Sequence, residues 1–387
     1  MDKNLDAPEF PQELVEKYTP WINAAWDKVD EKMRRVAKEC YAQLPYTAEN
    51  GKYDDMSKKT VYAWTNGFWP GLMWLLYIDT KQDVYRNTAE NAEAILDKAF
   101  DEEYECLNHD VGFMWSLSSG VNYQLFGGLR SKLRTLKAAG VLASRFNANG
   151  GFIRAWNGEN REGYTIIDCM MNIPLLYRAS EITGDPRFSA IADSHAALTM
   201  HKHVRADGSV YHVLNFDPIT GELLSYPPSQ GYDSEKSAWS RGQAWAIYGF
   251  TLAYCHSHKI EYLDTAKRVS HYFIANLRQS NIPPCDFRAP KKPVYYDTSA
   301  GLIAACGMLE IARCVNVYEK ELYFEAALAI LKETAKQHVD FTAESQYIVE
   351  DSTEAYFHAR HNIPMVYADY YFTEALYKLR GNQLLFW

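Results

Sequence analysis

The sequence lacks the signatures of the common cofactor and metal chemistries. It has no GxxxxGK[ST] loop, no GxGxxG after a predicted strand, no HExxH and no GxSxG. Its seven cysteines include no CxxC pair, and their odd number and apolar neighbours indicate reduced core residues. Two HxH pairs occur, His201/His203 and His256/His258, but residues two apart do not share a helix face. We therefore expect no metal and no cofactor.

Clustered positive charge and long apolar runs are also missing. The net charge is −9 and no Lys/Arg-rich block occurs, which argues against a nucleic-acid partner. No apolar run reaches membrane-spanning length, and the first residues do not form a signal peptide. We expect a monomer or weak homo-oligomer without a membrane partner. The expected location is cytoplasmic as the sequence stands, or periplasmic if a signal peptide has been removed.

Aromatic residues, in contrast, are abundant. The chain of 387 residues has 28 Tyr and 10 Trp, and 47% of its residues are hydrophobic. Tyr and Trp combine an apolar face with a polar tip, which suits sugar rings with apolar C–H faces and hydroxyl rims. The alternative is that these side chains fill the space between helices, as most of them are expected to do.

A weak repeat predicts pairs of helices. Four amphipathic segments open with an aromatic residue followed four positions later by Ala, at Tyr85, Phe188, Tyr262 and Tyr323. Each follows a more apolar helix, and these leading helices are predicted to start near Trp64, Thr165, Trp239 and Asp297. An apolar helix before an amphipathic one indicates an inner and an outer layer.

Further segments complete the predicted architecture. Another pair is expected at residues 116–145, and a helix near Ile363–Leu379 is expected to pair with one near Gln12–Leu44 and close a ring. The prediction is an all-α chain, an (α/α)6 barrel in a single domain over residues 1–387. A hairpin on its rim is predicted from Ser209–Phe216 and the turn at Asp217–Gly221. An open α-solenoid is the alternative.

One acid stands in an otherwise apolar run. Asp168 is the only charge between Tyr164 and Tyr177. Burial favours the protonated carboxyl and raises its pKa, and a protonated acid near neutral pH is what general acid catalysis requires. The structural alternative is that Thr165 caps a helix and Asp168 bonds back to that cap. Both roles remain open on these residues alone.

Other motifs combine acids, an arginine and aromatics near predicted helix starts. Asp110 precedes a Gly and two aromatics, although a cap or turn role is common for a single Asp. Arg241 and Trp245 lie four positions apart and therefore on one face of the predicted helix. There Arg241 could bind a substrate carboxylate while the Trp245 ring stacks on the sugar. The alternative for Arg241 is an ion pair with an Asp that ties helices together.

The motifs taken together, in their order, resemble the unsaturated glucuronyl hydrolases of glycoside hydrolase family 88. The resemblance runs from about residue 60 to the DYYFTEAL stretch at Asp369. It is carried by WTNGFWPG at Trp64, NHDVGF at Asn108, GGFIRAW at Gly150, IIDCMMNIPLL at Ile166, QGY at Gln230 and WSRGQAW at Trp239.

The resemblance implies an (α/α)6 barrel and a substrate with a 4,5-unsaturated uronic acid at its non-reducing end. By motif position it implies that Asp168 is the general acid/base and Asp110 the second essential carboxylate. It also implies a set of sugar-site residues: Trp64, Trp156, His212, Gln230, Trp239, Arg241 and Trp245. The family reaction is hydration of a vinyl ether, in which C4 of the C4=C5 bond is protonated and water adds at C5.

One segment departs from the family pattern. Before the C-terminal DYY helix, this chain has Glu354-Ala-Tyr-Phe-His-Ala-Arg-His-Asn-Ile-Pro364 where compared members have a Gly- and Ser-containing loop. Arg360, His358 and His361 are therefore either sulfate-binding or simply exposed. The expected substrate is of glycosaminoglycan type. The alternatives are an unsaturated rhamnogalacturonyl hydrolase acting on pectin fragments and a non-catalytic carbohydrate-binding toroid.

Overall fold

The computed structural model describes residues 10–277, 280–358 and 360–387. Helices dominate the described chain and form two concentric layers. The inner layer consists of Phe68–Thr80, Val111–Trp115 with its continuation Ser116–Gly120 and Val121–Phe126, Pro174–Thr183, Ser240–Ser257, Thr298–Cys314 and Val366–Leu379. The outer layer consists of Gln12–Glu39, Asp83–Ile95, Leu129–Ser144, Pro186–Lys202, Ile260–Asn276 and Val317–Gln337. Shorter helical segments are Met56–Lys58, Trp64–Gly67, Asp97–Asp101, Tyr104–Cys106 and Ile167–Met171.

The inner helices close into a ring. Ser240–Ser257 packs against Thr298–Cys314, which packs against Val366–Leu379, and that last helix contacts the first inner helix, Phe68–Thr80. The outer helix Gln12–Glu39 packs on Val366–Leu379. The predicted (α/α)6 barrel and the pairing of its end helices are confirmed, because an open solenoid would leave the first and last inner helices apart.

The sequence explains the two layers. Every residue of Thr298–Cys314 up to Ala312 is buried, whereas the outer helix Asp83–Ile95 buries one face only. Side chains at the N-cap position define where several helices begin. The Asp297 carboxylate accepts a hydrogen bond from the Ala300 backbone, and Asp185 and Asn316 cap the helices Pro186–Lys202 and Val317–Gln337 in the same way. The predicted starts near Trp64, Trp239 and Asp297 agree with the structure.

Short strands lie among the loops that connect the helices. β1 (Ala48–Glu49) pairs with β2 (Lys52–Tyr53), and β3 (Phe146–Asn147) pairs with β4 (Phe152–Ile153). A three-stranded antiparallel sheet has the order β5 (Tyr164–Ile166), β6 (Val213–Phe216), β7 (Leu223–Ser225). The predicted hairpin is therefore present as β6 and β7, and β5 adds a third strand to it.

The segment around Asp168 differs from its prediction. Thr165 lies in β5, and a short 3-10 helix, Ile167–Met171, leads from that strand towards the inner helix at Pro174. The Thr165 hydroxyl contacts Nε2 of the buried His203 at 2.8 Å and does not cap a helix. The predicted cap is wrong because pairing of β5 with β6 fixes the Thr165 backbone in an extended conformation.

Candidate active site

A pocket opens where the inner helices Ser240–Ser257 and Val366–Leu379 begin, beside the three-stranded sheet. Its volume is about 120 Å³. The side chains that line it are Tyr46, Trp64, Asp110, Trp156, Ile166, Asp168, His212, Gln230, Trp239, Arg241, Glu354 and Tyr367. Eight of the nine residues predicted for catalysis or sugar binding therefore converge, although they span 178 positions of the sequence.

The two predicted carboxylates come from neighbouring segments that are tied together. Asp110 stands just before the inner helix Val111–Trp115, and Asp168 lies in the 3-10 helix after β5. Asn172 connects them: its Oδ1 accepts from the Phe113 backbone at 2.8 Å, and its Nδ2 donates to the Asp168 carbonyl at 3.2 Å. A Cβ at Gly112 would stand 2.4 Å from Asn172 Cα, so this close approach requires glycine.

His212 sets the electrostatics of Asp168. The Gln230 backbone N–H donates to His212 Nδ1 at 3.2 Å, so this nitrogen carries a lone pair and the proton is on Nε2. His212 Nε2 lies 3.3 Å from Asp168 Oδ1. Burial acts to raise the pKa of Asp168, but the contact with His212 outweighs it and the pKa lies below its ordinary value. The prediction that burial keeps Asp168 protonated is therefore wrong, because its buried partner stabilises the anion.

Asp110 holds the proton instead. Burial and the nearby negative charge of Asp168 raise the pKa of Asp110 to about 8. The neighbouring His109 is fully buried, and its Nε2 lies 3.3 Å from Asp110 Oδ1. Burial lowers the pKa of His109 to about 3, so its ring is neutral. The pKa of Asp110 therefore lies above that of Asp168, and Asp110 is the carboxyl of the pair that keeps its proton to higher pH.

Arg241 is one half of a buried ion pair. Its Nη1 lies 2.6 Å from Asp297 Oδ2 and also donates to the Thr353 carbonyl, while Nη2 donates to the Glu354 carbonyl at 2.6 Å. Burial acts to lower the pKa of Arg241, but the Asp297 carboxylate raises it. The alternative role as a tie between helices is thus present, although the guanidinium also lines the pocket.

Aromatic rings form much of the pocket wall. The Trp239 ring lies 4.4 Å from the His212 ring and beneath the Arg241 guanidinium, whose central carbon is 4.7 Å from the ring centroid. The ring centroid of Trp156 lies 6.3 Å from that of His212. These distances place a stacking surface next to the carboxylates and the cation.

Trp245 is the exception among the predicted site residues. It is fully buried and packs edge-on against Trp64, with ring centroids 6.3 Å apart. The prediction that it lines the pocket is wrong because it lies one helical turn beyond Arg241, deeper in the barrel. Its contact with Trp64 supports the pocket wall from behind.

Several pocket residues were missed by sequence reasoning. Tyr46 and Tyr367 line the pocket, and the Tyr46 hydroxyl donates to Glu354 Oε1 at 3.1 Å. Glu354 belongs to the segment that departs from the family pattern, so the departure itself was the available signal. His109 lies within the NHDVGF motif, but no sequence signal distinguishes it from a core histidine. Neither of its ring nitrogens has a hydrogen-bond partner among the described residues.

The three basic residues of the segment that differs from the family pattern lie in different environments. The His361 ring stacks on the Tyr295 ring, with centroids 3.7 Å apart, and its Nε2 contacts the Tyr356 carbonyl at 2.9 Å. These contacts give His361 a structural role in the loop. The Arg360 guanidinium lies 6.0 Å from the Tyr46 ring, close to the pocket wall. His358 is exposed and lies 4.0 Å from Glu354. Binding of sulfate by Arg360 or His358 stays a prediction.

The described residues contain neither a metal-ligand cluster nor a membrane-spanning helix. Across residues 10–277, 280–358 and 360–387, no three His, Cys, Asp or Glu side chains converge as a metal-binding group. Within the same ranges no helix combines the length and the apolar character needed to traverse a bilayer.

The pocket has the groups that glycoside cleavage requires. A protonated and an ionised carboxyl face a space walled by indole rings, so a proton donor and a proton acceptor are available at one sugar-sized site. Together with the helical barrel, this arrangement is that of a glycoside hydrolase.

Comparison with known proteins identifies the family. The model of Glycosyl Hydrolase Family 88 matches residues 33–281. An unsaturated glucuronyl hydrolase of Bacillus sp. (strain GL1) is 35% identical over 380 residues, which covers 95% of this chain and 98% of that protein. An unsaturated chondroitin disaccharide hydrolase of Streptococcus pneumoniae is 33% identical, covering 84% of this chain and 83% of that protein. The chain belongs to glycosyl hydrolase family 88.

A solved structure agrees with this assignment. An unsaturated glucuronyl hydrolase variant from Streptococcus agalactiae, complexed with dGlcA-GalNAc6S, superposes with a TM-score of 0.82. It is 27% identical, and the match covers 95% of this chain and 93% of that one.

Proposed function

We propose that this enzyme releases 4,5-unsaturated glucuronic acid from the non-reducing end of lyase-generated oligosaccharides of glycosaminoglycan type. The observation that carries the proposal is the pair of unlike carboxyls, Asp168 and Asp110, in a pocket walled by tryptophans. The relatives named for glucuronyl and chondroitin substrates favour this activity over the rhamnogalacturonyl alternative.

The directions of the two pKa shifts support a division of roles between the carboxyls, which differs from the expectation that Asp168 is both general acid and general base. Asp110, which holds a proton at neutral pH, delivers it to C4 of the C4=C5 double bond. Positive charge develops at C5 and is stabilised by the Asp168 anion. Water then adds at C5 and gives its proton to Asp168, which His212 holds in position. The C5 hemiketal opens, and the hemiacetal thereby exposed at C1 collapses and releases the leaving sugar.

Arg241 is the proposed partner of the uronate carboxylate. A full positive charge there would oppose the cation that develops at C5. The Asp297 carboxylate, 2.6 Å from Arg241 Nη1, neutralises much of this charge. Arg241 can therefore donate hydrogen bonds to the uronate with a smaller penalty on the transition state. Trp64, Trp156 and Trp239 are the proposed walls of the sugar site, with Gln230 as a polar contact.

The remaining expectations from the sequence stay proposals. We infer a monomer or weak homo-oligomer that needs no cofactor and acts in the cytoplasm, or in the periplasm after removal of a leader. Sedimentation analysis, assay after chelation and cell fractionation test these points in turn.

The reaction is tested with lyase-made disaccharides in D2O. Hydration predicts that the absorbance of the double bond falls as the sugar is released, and that the first product carries deuterium at C4. Conventional attack at the anomeric carbon would release the sugar while the double bond persists, and that result contradicts the mechanism. Unsaturated rhamnogalacturonan disaccharide serves as the competing substrate, and a higher kcat/KM on it would contradict the proposed specificity.

A further inference from the structure

Arg145 does not line the pocket, but it binds two segments that supply pocket residues. It follows the outer helix Leu129–Ser144 directly, and its side chain is half-buried. Its Nη2 donates to the Ala155 carbonyl at 3.0 Å, and its Nε donates to the Arg154 carbonyl at 2.9 Å. The guanidinium therefore holds the backbone just before Trp156, which lines the pocket.

The same guanidinium also holds the segment that leads into the motif NHDVGF. Arg145 Nη1 donates to Asn157 Oδ1 at 2.8 Å, and Asn157 Nδ2 donates to the Leu107 carbonyl at 3.0 Å. The Ala155 carbonyl, which Arg145 binds, also accepts from the His109 backbone at 3.3 Å. Arg145 thus lies at the junction of the two segments, where a planar group with several donors can bind both.

Arg145 also brings a positive charge close to the carboxyl pair. Burial lowers its pKa to about 10, so it stays charged at neutral pH. Burial and Asp168 raise the pKa of Asp110, and the Arg145 charge acts against both. Two other titratable groups lie near Asp110, the neutral His109 and the Cys169 thiol, whose pKa is raised by burial. Of these four neighbours of Asp110, Arg145 is the one that carries a positive charge.

The charge of Arg145 is not offset by an ion pair. Among the described residues its side chain binds backbone carbonyls and the Asn157 amide, and no carboxylate lies within ion-pair distance. The other ionisable side chains that line the pocket have partners of their own: His212 with Asp168, Tyr46 with Glu354, Arg241 with Asp297 and Tyr367 with Met365. The Arg145 charge is therefore available to act on Asp110.

We propose that Arg145 is a positioning residue for the proposed reaction, which ties the Asp110 and Trp156 segments together and holds a fixed positive charge near the carboxyl pair. The tether keeps the proton donor and the indole wall in one arrangement, on which the rate of a positioned reaction depends. The charge makes Asp110 a stronger acid than burial and Asp168 alone would allow. The inference rests on the proposed function and adds a residue that sets the pH range of its proton donor.

The test compares Arg145→Gln, which removes the charge, with Arg145→Lys, which keeps it. Both are assayed on unsaturated chondroitin disaccharide by loss of double-bond absorbance. Arg145→Gln should move the alkaline limb of the kcat/KM profile to higher pH by about half a unit to one unit, because Asp110 then keeps its proton longer. Arg145→Lys should leave that limb in place but lower kcat/KM by about threefold to tenfold, since one ammonium cannot bind both segments.

Arg154→Gln is the matched control for damage to the loop. The Arg154 guanidinium donates to the Trp156 carbonyl at 2.9 Å and to the Gly158 carbonyl at 2.8 Å, so its loss loosens the same loop and leaves the Arg145 charge in place. This variant should not move the alkaline limb. A displacement as large as that of Arg145→Gln would assign the effect to the loop and overturn the inference.

A second measurement does not depend on turnover. Asp110→Asn removes the ionisable carboxyl, and its gain in Tm at pH 9 should be larger by about 1 °C in the Arg145→Gln background than in wild type. The reason is that the loss of the Arg145 charge raises the pKa of Asp110 further, so that its ionisation costs the fold more.

The outcomes separate this inference from the proposed function. If wild type converts no unsaturated substrate, the proposed function is wrong, and the melting comparison still decides the role of Arg145. An alkaline limb that Arg145→Gln leaves unmoved, or an equal gain in Tm in both backgrounds, would overturn the inference. If Arg145→Gln does not fold, Arg145→Lys decides the matter, because a displaced limb or an unchanged kcat/KM would overturn the inference.

Discussion

The raised pKa of Asp110 predicts how the stability of the fold depends on pH. Its pKa is raised from 3.8 to about 8 by burial and by the Asp168 charge. Between these values the folded chain keeps a proton that the unfolded chain releases, so stability falls as the pH rises from about 4 to about 8. Asn matches the protonated carboxyl in size and cannot ionise. We therefore expect Asp110→Asn to stabilise the fold at alkaline pH and to have little effect near pH 4.

The size of the expected stabilisation follows from the shift in the pKa of Asp110. A shift of about four units, at about 1.4 kcal/mol per unit, gives an upper limit of ~6 kcal/mol on the free energy of unfolding gained by the variant. Local relaxation and water penetration reduce this gain to about 2–4 kcal/mol. For a chain of this length, 1 kcal/mol moves Tm by about 1 °C. The variant should thus melt about 2–4 °C above wild type at pH 8 or higher, and the difference should shrink towards pH 5.

Thermal unfolding from pH 5 to pH 9 at one scan rate measures this difference. Asp101→Asn, at an exposed position, makes the same change in charge and should give a difference that does not depend on pH in this way. A variant of Asp110 that is less stable than wild type across the whole range would refute the reasoning. It would show that the carboxyl is ionised and that its contacts hold the fold.

Three further predictions concern neighbouring groups. His212→Phe removes the partner that lowers the pKa of Asp168, so the acidic limb of the kcat/KM profile should move to higher pH, and an unmoved limb would contradict the role of His212. Asp297→Asn leaves Arg241 buried without its counter-ion and should destabilise the fold by about 3–5 kcal/mol in denaturant titration, whereas an unchanged midpoint would show a dispensable pair. Wild-type kcat/KM should fall as the pH rises through about 8, where Asp110 loses its proton, and a rate that keeps rising past this pH would remove Asp110 as the donor.

The barrel was predictable because its signals are local and repeated. An apolar helix followed by an amphipathic one defines two layers, and Asp297 marks its helix start by chemistry that the sequence shows directly. The start predicted at Thr165 was wrong because pairing of β5 with β6 overrides the local apolar pattern. Strand partners about fifty positions apart leave no local signal.

The composition of the site was predictable from motifs, but its electrostatics were not. Asp168 in an apolar run indicates burial, and burial alone raises a carboxyl pKa. The sign of the shift is decided by His212, which only the folded sheet brings to Asp168. Likewise, the spacing of Arg241 and Trp245 correctly predicts a shared face, but not that Trp245 lies a turn deeper, behind Trp64.

Turnover by Asp168→Asn tests the central claim most directly. The variant is assayed on unsaturated chondroitin disaccharide by loss of double-bond absorbance, with binding measured separately by calorimetry. The account predicts that kcat falls by about 10²–10⁴-fold while the ligand still binds and the fold is intact. Turnover close to that of wild type would contradict the assignment of Asp168 as the catalytic base that stabilises the charge at C5.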